Sequence, residues 1–135
     1  MANKTYVCVG GVSLKETFDN KYKTILPKKM KAALQKAMDR SAKLTTKPPS
    51  DKKAKGFYVD GSVTLKKTAN GIEAEIQVVL AHWPDKTIFT APSKTKATTT
   101  VSNPAKIDQD VDAVIEALLD AVAAKVIKVL ESRVP

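Results

Sequence analysis

Few side chains in this 135-residue chain are of the kinds that commonly do chemistry. His82 is the sole histidine and Cys8 the sole cysteine. A zinc site draws on three or four Cys, His or carboxylate ligands at characteristic spacings, and the sequence offers no such set. A Cys8–His82 nucleophilic pair would need an accessible thiol. Thr5-Tyr6-Val7-Cys8-Val9 instead reads as a buried strand, in which a thiol behaves as a small hydrophobe. His82 is expected in a turn beside Trp83. Glu73 and Glu75 alternate onto one strand face, where Lys66 and a neighbouring lysine can neutralise them. Asp108, Asp110 and Asp112 suit the positive end of a helix dipole. Gly10-Gly11 follows a strand as phosphate loops do, but no Gly-Lys-Ser/Thr follows it and no GxGxxG opens a helix. The pair is expected to end or bend the strand. No catalytic, metal or cofactor-binding residue is assigned, no cofactor is implied, and the chain is expected not to be an enzyme.

Charge carries more information. The net charge is +9, and residues 1–70 hold 16 Lys/Arg against 5 Asp/Glu, whereas residues 71–135 hold 7 against 9. A balance of that kind points to an anionic partner for the first half. The candidate anion-binding residues are Lys28, Lys29, Lys31, Lys36, Arg40, Lys43, Lys47, Lys52, Lys53 and Lys55. The expected partner is nucleic acid or an acidic protein. Arg40 and Arg133 are the only arginines. Arginine reads guanine edges and clamps phosphate with two bonds, while lysine acts as a point charge, so binding should be salt-sensitive and poorly sequence-specific. Tyr22, Phe57 and Tyr58 are the aromatics near this surface that could stack on bases. Lys55-Gly56-Phe57 is similar to the start of the RNA-binding strand motif of RRM domains, and Tyr6-Val7 to its partner strand. The likeness stops at Tyr58, where the motif has a small residue.

The elements that must position these residues are legible from periodicity. Hydrophobic residues make up 43% of the chain and charged ones 27%, as in ordinary globular proteins, and the length suits one domain over residues 1–135. With aromatics at 5%, the core must be mostly aliphatic, and with one cysteine no internal disulfide can form. No stretch reaches the ~18–20 apolar residues that span a bilayer. The expected location is cytoplasmic, or periplasmic or secreted after removal of a leader.

Pro27 is expected in the first turn of a helix whose apolar stripe is Met30, Ala33, Leu34, Ala37, Met38 and Ser41, stopping near Leu44. Residues 13–26, with Phe18, Tyr22 and Ile25 at helical spacing, fit a brief helix or an ordered loop. Residues 45–55 read as an exposed Lys/Pro-rich loop. Residues 57–65 and 72–80 alternate as a hairpin about Asn70-Gly71, a dipeptide that favours the type I′ turn. A two-residue turn there pairs Leu65 with Ile76, Val63 with Val78, Gly61 with Leu80, Lys66 with Glu75 and Thr64 with Gln77. Residues 87–90 and 94–101 are β-prone and separated by Pro92, which points to a sheet edge or a bulge. Asn103-Pro104 opens a long C-terminal helix with a stripe from Ile107 to Leu130.

The expected fold class is therefore α+β: a two-layer β-α-β-β-β-α domain with an antiparallel or mixed sheet and two helices on one face. The order is similar in outline to small sheet-plus-helix domains of bacterial envelope and secretion assemblies, without a shared motif. The expected function is a binding module. The alternative is an assembly subunit that associates with a partner or a second copy through the threonine-rich edge at residues 94–101 or the C-terminal helix.

Overall fold

The computed structural model describes residues 4–50, 54–90 and 93–134. Pro92, Lys52 and Lys53, on which expectations were placed, lie outside the described residues. The elements are β1 (Thr5–Thr17), α1 (Tyr22–Asp39), β2 (Leu44–Thr45), β3 (Gly56–Lys67), β4 (Gly71–Trp83), β5 (Ser93–Thr100) and α2 (Ile107–Ser132). The sheet is mixed, in the order β2-β1-β3-β4-β5. β1 runs parallel to β2 and β3, and β3-β4-β5 is an antiparallel meander. The fold is α+β, as the periodicity requires.

Alternation decides which face of the sheet is covered. Val7, Val9, Val12 and Leu14 of β1 are buried, as are Phe57, Val59, Val63 and Leu65 of β3 and Ile72, Ala74, Ile76, Val78 and Leu80 of β4. They form one cluster with Leu26, Met30, Leu34 and Met38 of α1 and with Val111, Leu118, Val122, Val126 and Leu130 of α2. Both helices therefore pack on the same face. The other face carries Tyr6, Cys8, Tyr58, Asp60, Ser62, Thr64, Glu73, Glu75 and Gln77, and no helix among the described residues covers it.

Several boundaries differ from the expectations for local reasons. Of the two expectations for Gly10-Gly11, that the pair ends β1 or bends it, the second holds. β1 continues to Thr17 with irregularities between Val9 and Gly11 and between Leu14 and Glu16, so the glycines sit at a bulge. α1 starts at Tyr22, five residues before Pro27, which is inside the helix. Residues 17–21 set that start: Thr17 bonds with Asp19, whose carboxylate accepts the Lys21 N–H at 3.0 Å. The helix ends at Asp39 rather than near Leu44, and Leu44-Thr45 pairs with Thr5-Tyr6 as β2. Thr46 follows, and both its N–H and its hydroxyl donate to the Asp39 carboxylate at 2.8 Å.

The hairpin exists, but its register is offset by two residues. Leu65 pairs with Ala74, Val63 with Ile76, Gly61 with Val78, Lys66 with Glu73 and Thr64 with Glu75. The Thr68 N–H donates to the Gly71 carbonyl at 2.8 Å, which places Ala69 and Asn70 at the tip. A type I′ turn needs positive φ at both tip residues, and neither Ala69 nor Asn70 has it. Gly71 serves the sheet instead: it pairs with Thr100, and a Cβ there would strike the Thr99 carbonyl oxygen. Because side chains alternate with period two, an offset of two leaves every residue on its expected face.

At the C-terminal side, the Asn103 side chain accepts the Ala105 N–H at 3.0 Å and caps a 3₁₀ turn over Pro104–Lys106 that leads into α2. Asp108 and Asp110 occupy the first turn of α2, as the dipole favours. Ile88 makes only an isolated bridge to Ala81, so the β-prone stretch before Pro92 is not a full strand.

Candidate anion-binding surface

Strand order turns the charge asymmetry of the sequence into an asymmetry in space. The basic half supplies β1, α1, β2 and β3, and the near-neutral half supplies β4, β5 and α2. In the order β2-β1-β3-β4-β5 the first three strands lie together on one side of the sheet, so the two halves do not interleave. The helices meet at a seam where opposite charges pair. Lys21 lies 2.9 Å and Lys29 3.4 Å from the carboxylates of Asp108 and Asp112 respectively. The Tyr22 hydroxyl donates to Asp108 and the Ser41 hydroxyl to Glu131. The hydrogen bonds from Tyr22 and then Lys21 hold the Asp108 carboxyl below the usual range. Burial first, and the bonded Asp108 second, push the Tyr22 phenol up.

The candidate residues separate into groups. Lys28, Lys29, Lys31 and Lys36 lie on α1, Arg40 caps it, and Lys43 precedes β2. All are exposed except Lys31, which is half-buried. Lys29 belongs to the seam. Among the described candidates it alone has a carboxylate at ion-pair distance. Lys47 and Lys55 converge with Lys4 on a cleft of about 580 Å³ between the start of β1 and the segment after β2. Tyr6, Thr45, Pro48, Pro49, Ser50 and Ala54 complete its lining. The cleft holds three ammonium groups and no carboxylate among its described lining residues.

Beside it lies an aromatic corner. The Tyr6 and Trp83 rings meet edge to face with centroids 4.9 Å apart, in the row where Gly56 contributes no side chain. Burial, followed by a hydrogen bond with Cys8, pushes the Tyr6 phenol up to about 12. Lys86 sits over the Tyr58 ring, 5.4 Å from its centroid. Of the three aromatics expected to be available for stacking, Tyr58 alone remains accessible. Tyr22 and Phe57 are 4% and 5% exposed and belong to the core. Sequence reasoning singles out Tyr6 only through the partner-strand likeness and places Trp83 in a turn, so it misses that the two rings meet. They share the open face with Tyr58 only because β1 lies beside β3 and β3 beside β4, and that adjacency is not written in either strand alone.

Cys8 is half-buried on the open face rather than in the core, opposite Tyr58. His82 pairs with Phe57 and so lies on the helix side, stacked 4.6 Å from Phe89 and flanked by the 82–87 turn. The two residues are on opposite faces, and the fold does not bring them together. Lys66 faces Glu73 across the ladder, and the lysines at ion-pair distance are those of β5: Lys96 lies 3.1 Å from Glu73 and 3.7 Å from Glu75, with Lys94 3.9 Å from Glu75. Among the described residues no group of three or more His, Cys, Asp or Glu could hold a metal ion. Nor is any helix there long and apolar enough to cross a membrane.

These features define a class: an α+β domain of one mixed sheet with two helices on one face and a basic side opposite a near-neutral one. No protein-family model matches the chain, and no curated protein matches it. Solved structures share the fold. The hypothetical protein CT253 from Chlamydia trachomatis superposes with a TM-score of 0.68 at 14% identity, over 96% of this chain and 99% of that one. A minor lipoprotein from Acinetobacter baumannii superposes with a TM-score of 0.52 at 12% identity, over 92% and 94% of the two chains. At such identities the likeness is one of fold.

Proposed function

We propose that the chain is a non-enzymatic binding module that engages an anionic partner through its basic side. The observation that carries this reading is the contrast in how lysines are used. At the helix seam and on β5 they are paired with carboxylates, whereas Lys4, Lys47 and Lys55 face a common cleft that has none among its described lining residues. Like charges held together repel in the free protein, and an anion entering among them relieves that repulsion. Tyr6 and Trp83 beside the cleft, and Tyr58 under Lys86, add flat apolar surface to the charge. The reading holds in the cytoplasm and equally in the periplasm or outside the cell.

Anisotropy of fluorescein-labelled polyglutamate and of a labelled single-stranded oligonucleotide, across a salt series, tests the proposal. Affinity should fall steeply as salt rises. At fixed low salt the Lys47→Glu/Lys55→Glu variant should bind at least tenfold more weakly. Binding that ignores both salt and the substitutions would overturn the reading.

The second reading is an assembly subunit that associates through a sheet edge. It is favoured by the outer edge of β5, which has no pairing strand among the described residues. The C-terminal helix is a weaker route to assembly, because its apolar stripe from Val111 to Leu130 is already buried against the sheet.

A further inference from the structure

β1 has a long uncovered edge. β2 pairs with it at Thr5 and Tyr6 only, while β1 continues to Thr17. Among the described residues no strand lies against the outer edge from Val7 onward. Backbone N–H and C=O groups on such an edge are a template for another strand. The outer edge of β5 is open too, but its lysines are held by Glu73 and Glu75. Along β1 the charges are unspent. Lys23 and Pro27 of α1 line a shallow cleft of about 560 Å³ with Val12, Ser13 and Leu14 of β1. Lys31 lies one helical turn beyond Pro27 on the same face. Lys15 is exposed on β1 itself, and none of Lys15, Lys23 and Lys31 has an ion-pair partner among the described residues. Gly61 of β3, on the helix side opposite Val12, and Asp60, on the open face, complete the lining of the cleft.

We propose that this edge accepts an acidic segment of a partner protein in extended conformation, as an added strand whose carboxylates meet Lys23 and Lys31. The inference rests on the anionic-partner reading and narrows it to a peptide. The spacing of the two elements agrees. Lys23 and Lys31 are separated by eight helical residues, about 12 Å at 1.5 Å per residue. Four residues of a strand span about 13 Å, so acidic residues at alternate positions, all on one face, bring two carboxylates into register with the two lysines. Backbone pairing holds the segment, and charge selects an acidic sequence over a neutral one.

The test uses two synthetic ten-residue peptides of equal charge, measured against the full chain. One alternates Glu and Thr. In the other, two of the Thr are Pro, which removes ladder donors and breaks an added strand. The alternating peptide should bind at least tenfold more tightly than the proline peptide. It should slow amide hydrogen exchange within residues 7–17 and lose at least tenfold in affinity to Lys23→Glu/Lys31→Glu. The peptide comparison uses the unaltered protein, so it stands whether or not that variant folds. Equal binding of the two peptides, or slowed exchange on β5 in place of β1, would overturn the added strand and leave the anionic reading intact. Binding of the labelled oligonucleotide with neither peptide bound would overturn it in favour of nucleic acid. Binding of no polyanion at all would remove both proposals.

Discussion

At the scale of single residues, the contact between Tyr22 and Asp108 joins the first turn of α1 to the first turn of α2. Its pH window follows from the two shifts. Asp108 has a folded pKa below its ordinary value of 3.8, so its contribution is present above that value and is lost as pH falls through the folded pKa. Tyr22 has a folded pKa raised above 10.0, so its contribution is complete below 10.0 and is lost as pH rises through the folded value. Tyr22→Phe should lower the melting midpoint at pH 7, and thermal scans should show the gap to the unaltered protein closing as pH falls below 3.8 and through the folded value of Asp108. A gap that persists in strong acid would mean that the hydroxyl matters for packing alone. Deeper in the core, Met30 is fully buried, and Met30→Ala should cost about 2–5 kcal/mol by urea titration. Helical spacing marks Met30 as core from the sequence. The same spacing makes Tyr22 one member of a weak triplet with Phe18 and Ile25, yet Tyr22 is buried while Ile25 is 50% exposed. Tyr22 falls four and eight residues before the buried Leu26 and Met30, on one helical stripe, and Ile25 lies off it.

At the scale of elements, glycine 71 shows how a strong local signal can be right about an element and wrong about its geometry. Asn-Gly marks the hairpin, and alternation assigns its faces. The register depends on β5, whose Thr99 carbonyl leaves no room for a Cβ at Gly71. Gly71→Ala should therefore destabilise the protein by about 1–3 kcal/mol, as overpacking does. Asn70→Ala, at an exposed tip without positive φ, should change stability by less than about 0.5 kcal/mol. Urea titration of the two variants separates the observed turn from a type I′ turn, which would make Asn70 the more sensitive site. The start of α1 was obscured in a similar way. Proline at residue 27 suits a first turn in isolation, but the Asp19 turn begins the helix earlier and Tyr22 gains burial against the core. β2 was illegible because two residues carry no period. It exists because Thr5-Tyr6 offers them a partner.

At the scale of the whole molecule, the order β2-β1-β3-β4-β5 keeps the two halves of the chain on separate sides. Composition shows that the first half is basic, but that fact acquires a location only because β1 inserts beside β3 and not between β4 and β5. The cleft at Lys4, Lys47 and Lys55 depends on the same adjacency, since Lys4 and Lys55 belong to chain segments about fifty residues apart. The central claim is that position, and not net charge alone, makes the surface a binding site. Two charge-reversal variants of identical net charge test it by polyglutamate anisotropy at one low salt concentration. In the first, Lys28, Lys31, Lys47 and Lys55 become Glu. In the second, Lys66, Lys67, Lys106 and Lys128, exposed residues outside the candidate surface, become Glu. The account predicts that the first variant loses at least thirtyfold in affinity while the second stays within about threefold of the unaltered protein. Equal losses in the two variants would contradict it.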